Sequence, residues 1–223
     1  MELEAEPHQS ETGLIYRLRR GQPHSPLIVM LHGLSGDENV MWIFDHALPR
    51  AATVIAARAL YASELGGYSW ARSVVRDDLD QVDYTAARAA VQALIAEVTR
   101  LYEVDPQRVI VMGFSQGAAL SYTLSLAQPQ LLRGVIALAG YLPEHAQPAG
   151  QHRAAAKAPK ALPHYLIIHG TQDEAVPIDR ARQARSILES RGASVEYHEH
   201  HVGHRVSAQG MKEITRWIRQ ILA

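Results

Sequence analysis

The chain of 223 residues contains no cysteine. That absence excludes disulfides, a thiol nucleophile and thiolate metal ligation, and it leaves the compartment open. An excess of charge is missing too: 22 Lys and Arg stand against 23 Asp and Glu, for a net charge of −1. No basic field invites nucleic acid, and no acidic tail invites a basic partner. No apolar run approaches the length needed to span a bilayer. Met1-Glu2-Leu3-Glu4-Ala5-Glu6-Pro7 is acidic and broken by proline, the opposite of a signal peptide, so a soluble cytoplasmic protein is expected. There is no internal repeat and no sign of a second domain. Residues 1–12 read as a loose lead-in and residues 13–223 as a single domain. Hydrophobic residues at 47% and charged residues at 20% are enough to build one core without staples.

What is present is an alternation of strands and helices. Leu27-Ile28-Val29-Met30-Leu31, Thr53-Val54-Ile55-Ala56-Ala57, Val109 to Met112, residues 134–140 and Tyr165-Leu166-Ile167-Ile168-His169 are apolar runs suited to strands buried on both faces. Residues 14–18 suggest an early edge strand and residues 194–198 a last strand. Helices are expected over residues 40–48, 81–103, from the serine to about Ala127, 178–190 and 207–222. The class is therefore α/β, a mostly parallel central sheet with helices on both faces. Residues 61–76 read as a polar, aromatic loop suited to lie over a pocket, or as a loop that Trp70 simply anchors to the core. Residues 141–163 read as a surface excursion too short and polar for a large cap domain, so the site is expected to be open.

The stretch that organises the chain is Val109-Ile110-Val111-Met112-Gly113-Phe114-Ser115-Gln116-Gly117-Ala118-Ala119. An apolar strand meets Gly-x-Ser-x-Gly and a small-residue helix follows, the pattern of a nucleophile elbow. So tight a turn strains the serine and brings strand and helix together where only glycine fits. Ser115 would stand at the positive end of a helix. A serine needs a base, and the base an orienting carboxylate, in the order nucleophile, acid, histidine. Asp173 follows one buried strand and His204 the last one. Glu174, Asp179 and His201 are the competitors, and His201 is the main rival of His204, which is preferred because Gly203 lets the loop turn. His32-Gly33-Leu34-Ser35-Gly36-Asp37-Glu38 ends another strand and offers a backbone N–H at Leu34 to pair with that of Gln116 in an oxyanion hole. His32 itself reads as structural. His198 and His200 alternate on a strand, but without a His-Glu-x-x-His helix a metal is not expected.

Together, residues 32–38, Gly113-Phe114-Ser115-Gln116-Gly117, Gly170-Thr171-Gln172-Asp173-Glu174-Ala175-Val176-Pro177 and Gly203-His204 resemble the phospholipase/carboxylesterase family of α/β-hydrolases. The resemblance runs from about residue 14 to the end. It implies an α/β-hydrolase fold, a Ser115, Asp173 and His204 triad, and oxyanion-hole N–H groups at Leu34 and Gln116, with no cofactor. The Ser69-Trp70 pair matches the family and sets Trp70 near an acyl pocket, with Leu65, Tyr68 and Val176 as further substrate contacts. The family includes acyl-protein thioesterases, but residues 61–70 lack their Pro-Ser-Trp pattern, which favours small-molecule esters of short to medium acyl chains. A thioesterase or lysophospholipase for longer chains, another acyl transfer such as perhydrolysis, and a non-catalytic hydrolase-like binding protein are the alternatives. An apolar patch beside the open site could support a homodimer.

Overall fold

A computed structural model describes residues 2–72, 79–146 and 161–223. In chain order the strands are β1 (His8–Gln9), β2 (Ile15–Arg19), β3 (Leu27–Leu31), β4 (Thr53–Ala57), β5 (Tyr61–Ala62), β6 (Tyr68–Ser69), β7 (Val109–Phe114), β8 (Gly134–Leu138), β9 (His164–Gly170) and β10 (Val195–His200). The α-helices are α1 (Thr85–Leu101), α2 (Gln116–Ala127), α3 (Ile178–Ser190) and α4 (Ala208–Leu222), and a 3₁₀ helix spans Val40–Ala47.

Eight strands form one sheet in the order β1-β2-β4-β3-β7-β8-β9-β10. The pairings of β1 with β2 and of β2 with β4 are antiparallel, and the rest are parallel. This is an α/β-hydrolase-like fold. Its central strands are buried on both sides, and the pleat divides each between two cores. From β3, Leu27, Val29 and Leu31 pack with Val91, Leu94 and Leu120 of α1 and α2. Ile28 and Met30 face the opposite way, toward Phe44 and toward Trp217 and Ile218 of α4. Helix α2 sits so deep that its hydroxyls turn back on its own carbonyls, as when Ser121 Oγ donates to Gly117 O at 2.8 Å. Among the described residues no helix is long and apolar enough to cross a membrane.

Several elements differ from expectation. The lead-in is not loose over its described length: Leu3 bridges Arg19, and β1 adds to β2, covering part of the strand expected at the edge. Alternation in so short and acidic a segment was too weak to signal a strand. The helix expected over 81–103 begins at Thr85, whose N–H is taken by Asp83 Oδ1 at 2.8 Å. An aspartate two residues upstream is a turn former and stops the helix from extending backwards. The short helix expected over 40–48 is present, as a 3₁₀ helix. The 61–76 loop contains the β5-β6 hairpin up to Ser69, and its residues 73–76 lie outside the described residues. So do residues 147–160 of the expected surface excursion.

Candidate active site

The C-terminal ends of β3, β7, β9 and β10 meet above the sheet, and the site grows from them. Ser115 ends β7 and caps α2 at φ 53° and ψ −113°, a strained conformation for a residue with a Cβ. Its N–H is held by Leu138 O of β8 at 2.9 Å. The flanking glycines are obligatory here. A Cβ on Gly113 would lie 2.2 Å from Gly117 O, and one on Gly117 would lie 2.1 Å from Leu31 O.

The loop after β3 is fastened on several sides. His32 is fully buried; its Nδ1–H donates to Gly33 O at 2.6 Å, and its Nε2 accepts from Ala59 N–H at 3.0 Å. Burial depresses its pKa, and the ring stays neutral. It is structural. Farther along, Glu38 accepts two hydrogen bonds from Arg58 at 2.6 Å each, which hold its carboxyl below the usual carboxylate range. Arg58 in turn lies over the Tyr68 ring at 4.8 Å. Among the described residues the N–H groups of Leu34 and Gln116 donate to no protein acceptor. Two backbone donors beside Ser115 with no partner of their own are what an oxyanion hole requires.

The Gln116 side chain points the other way. Its Oε1 accepts Trp70 N–H at 2.9 Å and its Nε2 donates to Ser69 Oγ at 3.1 Å, which clamps the hairpin to the elbow. Trp70 is fully buried, with Nε1–H donating to His32 O at 2.8 Å. It therefore anchors the loop from beneath and does not line the cleft, correcting its expected contact with substrate. Tyr68 is corrected in the same way. It is half-buried under Arg58, and its N–H and O pair with Gly36 O and Ser35 N–H.

Asp173 is enclosed in the turn after β9. Its Oδ1 accepts the N–H groups of Ala175 and Val176, both at 2.9 Å, and its Oδ2 accepts Nδ1–H of His204 at 2.7 Å. These bonds fix the His204 tautomer and leave Nε2 as the basic atom. Gly170 lets the two loops approach, since a Cβ there would lie 2.3 Å from Val202 O. His169 adds a second imidazole beneath the acid, its Nε2–H shared between Val176 O at 2.8 Å and Asp173 Oδ2 at 3.3 Å. Burial keeps its pKa below the ordinary histidine value. Of the rivals, His201 is exposed and touches Thr171, and Asp179 pairs with Arg182 at 3.1 Å on α3. Glu174 reaches the cleft wall, but among the described residues the carboxylate hydrogen-bonded to His204 is that of Asp173.

A cavity of about 710 Å³ brings Ser115, Gln116, Leu34 and His204 together. Leu65 and Val176, expected from the resemblance, line it, and Leu79 and Tyr141 complete its wall. Tyr141 follows the β8 end and shares a 2.6 Å hydroxyl hydrogen bond with buried Tyr84, while burial pushes its pKa up to about 12. Its place just past a strand's C-terminal end, where open α/β sheets carry their sites, was the signal that could have found it. His198 and His200 are engaged by Glu196 and Glu213, and among the described residues no group of three His, Asp or Glu is arranged to hold a metal.

Sheet, elbow and cleft together define an α/β-hydrolase. Within that class the chain belongs to the phospholipase/carboxylesterase family, whose model matches residues 18–222. A probable inactive carboxylesterase of Oryza sativa is 27% identical over 215 residues, covering 90% of this chain and 86% of the relative. Acyl-protein thioesterase 1 of Yarrowia lipolytica is 25% identical, covering 88% of this chain and 92% of the relative. The Bacillus cereus carboxylesterase structure shares the fold at a TM-score of 0.79 and 18% identity, covering 93% of this chain and 94% of its own.

Proposed function

We propose that the protein is a serine carboxylesterase, with residues 13–223 acting as one domain on short-to-medium acyl esters. One observation carries the reading: a half-buried, strained serine shares a cleft with a histidine whose Nδ1–H is held by a buried carboxylate. Ser115 Oγ attacks the ester carbonyl while its proton passes to His204 Nε2. The carbonyl oxygen becomes an oxyanion held by the N–H groups of Leu34 and Gln116. Collapse of the tetrahedral intermediate breaks the bond to the leaving oxygen, which takes the proton from His204. The acyl-enzyme is then hydrolysed by a water that gives its proton to His204, and Ser115 is regenerated. Asp173 holds the imidazole in its tautomer and stabilises the imidazolium throughout. No cofactor enters these steps.

Hydrolysis of p-nitrophenyl esters from two to sixteen acyl carbons tests the reading, with Ser115→Ala as the blank. Loss of the nucleophile is expected to lower kcat by about 10⁴- to 10⁶-fold. A Ser115-dependent maximum at short chains supports the esterase. The Yarrowia relative favours a second reading, thioester cleavage, for which the maximum falls at long chains, as it would for a lysophospholipase. Equal rates in wild type and variant would instead leave a binding protein of hydrolase fold, in line with the inactive rice relative.

A further inference from the structure

Beside the cleft lies a second cavity, of about 440 Å³. The two share Gly33, Leu34, Ser35, Phe114 and His204, but Ser115 and Gln116 belong only to the first. The second is walled by the 3₁₀ helix Val40–Ala47, by Arg205 and Val206 before α4 and by Met211 on it. That short helix sends Met41, Phe44 and Ala47 into the core. Val40 and Ile43 are left outside, three residues apart, a spacing that eclipses two side chains on one edge of a 3₁₀ helix. They are 44% and 70% exposed, and both line this cavity. Only four large hydrophobic side chains are exposed among the described residues, and a third, Leu65, rims the first cavity. Three of the four thus line one or the other cavity, the fourth being Leu101 on α1, and apolar exposure gathered beside a cleft suits a binding surface.

The reaction geometry assigns the occupant. With the carbonyl oxygen between Leu34 and Gln116 and the carbon over Ser115, the leaving oxygen must come within hydrogen-bonding reach of His204. His204 is part of the wall common to both cavities. A substituent on the leaving oxygen passes His204 into the second cavity, and the acyl chain stays on the side of Gln116, Leu65 and Val176. We propose that this groove is the leaving-group subsite, shaped for an apolar alkyl or aryl alcohol, with Val40 and Ile43 setting the preference. The proposal rests on the esterase reading above.

Two ester series separate the cavities: acetates of alcohols from methanol to hexanol, and methyl esters of acids from acetate to hexanoate. Each is run with wild type, Ser115→Ala, the Val40→Ser/Ile43→Ser double variant and Leu65→Ser. In wild type, kcat/KM is expected to rise about threefold for each early methylene of the alcohol, somewhat less than full burial of a methylene allows. The double variant flattens the alcohol series and keeps the slope of the acyl series, and Leu65→Ser does the reverse. A double variant that flattens the acyl series would make the groove an acyl site and overturn the assignment. Unchanged slopes in both series would remove the groove from recognition altogether. If wild type cleaves no ester faster than Ser115→Ala, the esterase reading falls and takes the subsite with it.

Discussion

At the scale of single residues, strain at Ser115 sets stability against the activity proposed for it. Its φ of 53° is a conformation that glycine adopts freely and a residue with a Cβ does not. Strain of this kind costs about 1–3 kcal/mol, partly offset in a glycine variant by greater freedom of the unfolded chain. Ser115→Gly is therefore expected to be more stable than wild type by about 1 kcal/mol while losing all esterase activity. Urea unfolding of the two proteins measures it, and a glycine variant less stable than wild type would mean that the elbow is not strained. The same scale explains what could be read from sequence. Ser115, Asp173 and His204 stand out because a nucleophile, its base and an acid need fixed residue types in a fixed chain order. Trp70 could not be located that way. An indole beside Ser69 suits a pocket wall or a buried anchor equally, and the hydrogen bonds that Trp70 donates to Gln116 Oε1 and His32 O, which decide it, involve residues far away in sequence.

At the scale of elements, one of the ties that hold the loop after β3 is an ion pair. Glu38 is buried at its far end and receives both hydrogen bonds from Arg58. Glu38→Gln keeps the shape and loses the charge. It is expected to destabilise the fold by about 2 kcal/mol, the scale of hydrogen bonds to charged groups. Because Leu34 lies on that loop, kcat for p-nitrophenyl acetate is expected to fall several-fold with KM little changed. Retained kcat at reduced stability would show that the loop holds its own shape without the pair. Buried strands such as β3 and β4 were legible to the residue because their apolar runs have sharp polar or proline boundaries. The β5-β6 hairpin was not, since it pairs only two residues on each side and is held by Gln116 and the β3 loop rather than by its own pattern. The same is true of β1, which exists because β2 offers it an edge.

At the scale of the whole molecule, buried histidines couple stability to acidity. Desolvation lowers the pKa of His32 and His169 in the fold, and half-buried His164 shifts the same way. Below about pH 6.5 the unfolded chain binds protons that the native rings refuse, so stability is full above that point and falls as pH drops toward the native values. Each such ring contributes a slope approaching about 1.4 kcal/mol per pH unit in that window. His32 is the sharper case, because a proton on Nε2 would face the N–H of Ala59. Urea unfolding at about pH 7 and about pH 5 is expected to record the loss, and His169→Gln should flatten its slope. A stability that does not change between those conditions would mean the rings accept protons without unfolding.

The site is assembled from segments made at very different times. Ser115 ends β7 in the middle of the sheet, but His204, which shares its cleft, comes from the turn between β10, an edge strand, and α4. Helix α4 also covers Gly134, where Trp217 and Ile221 press so closely that a Cβ would lie 2.7 Å from each. A chain with its central strands alone thus holds Ser115 without the imidazole proposed as its base. On the triad proposed above, activity would therefore depend on the segment that closes the chain.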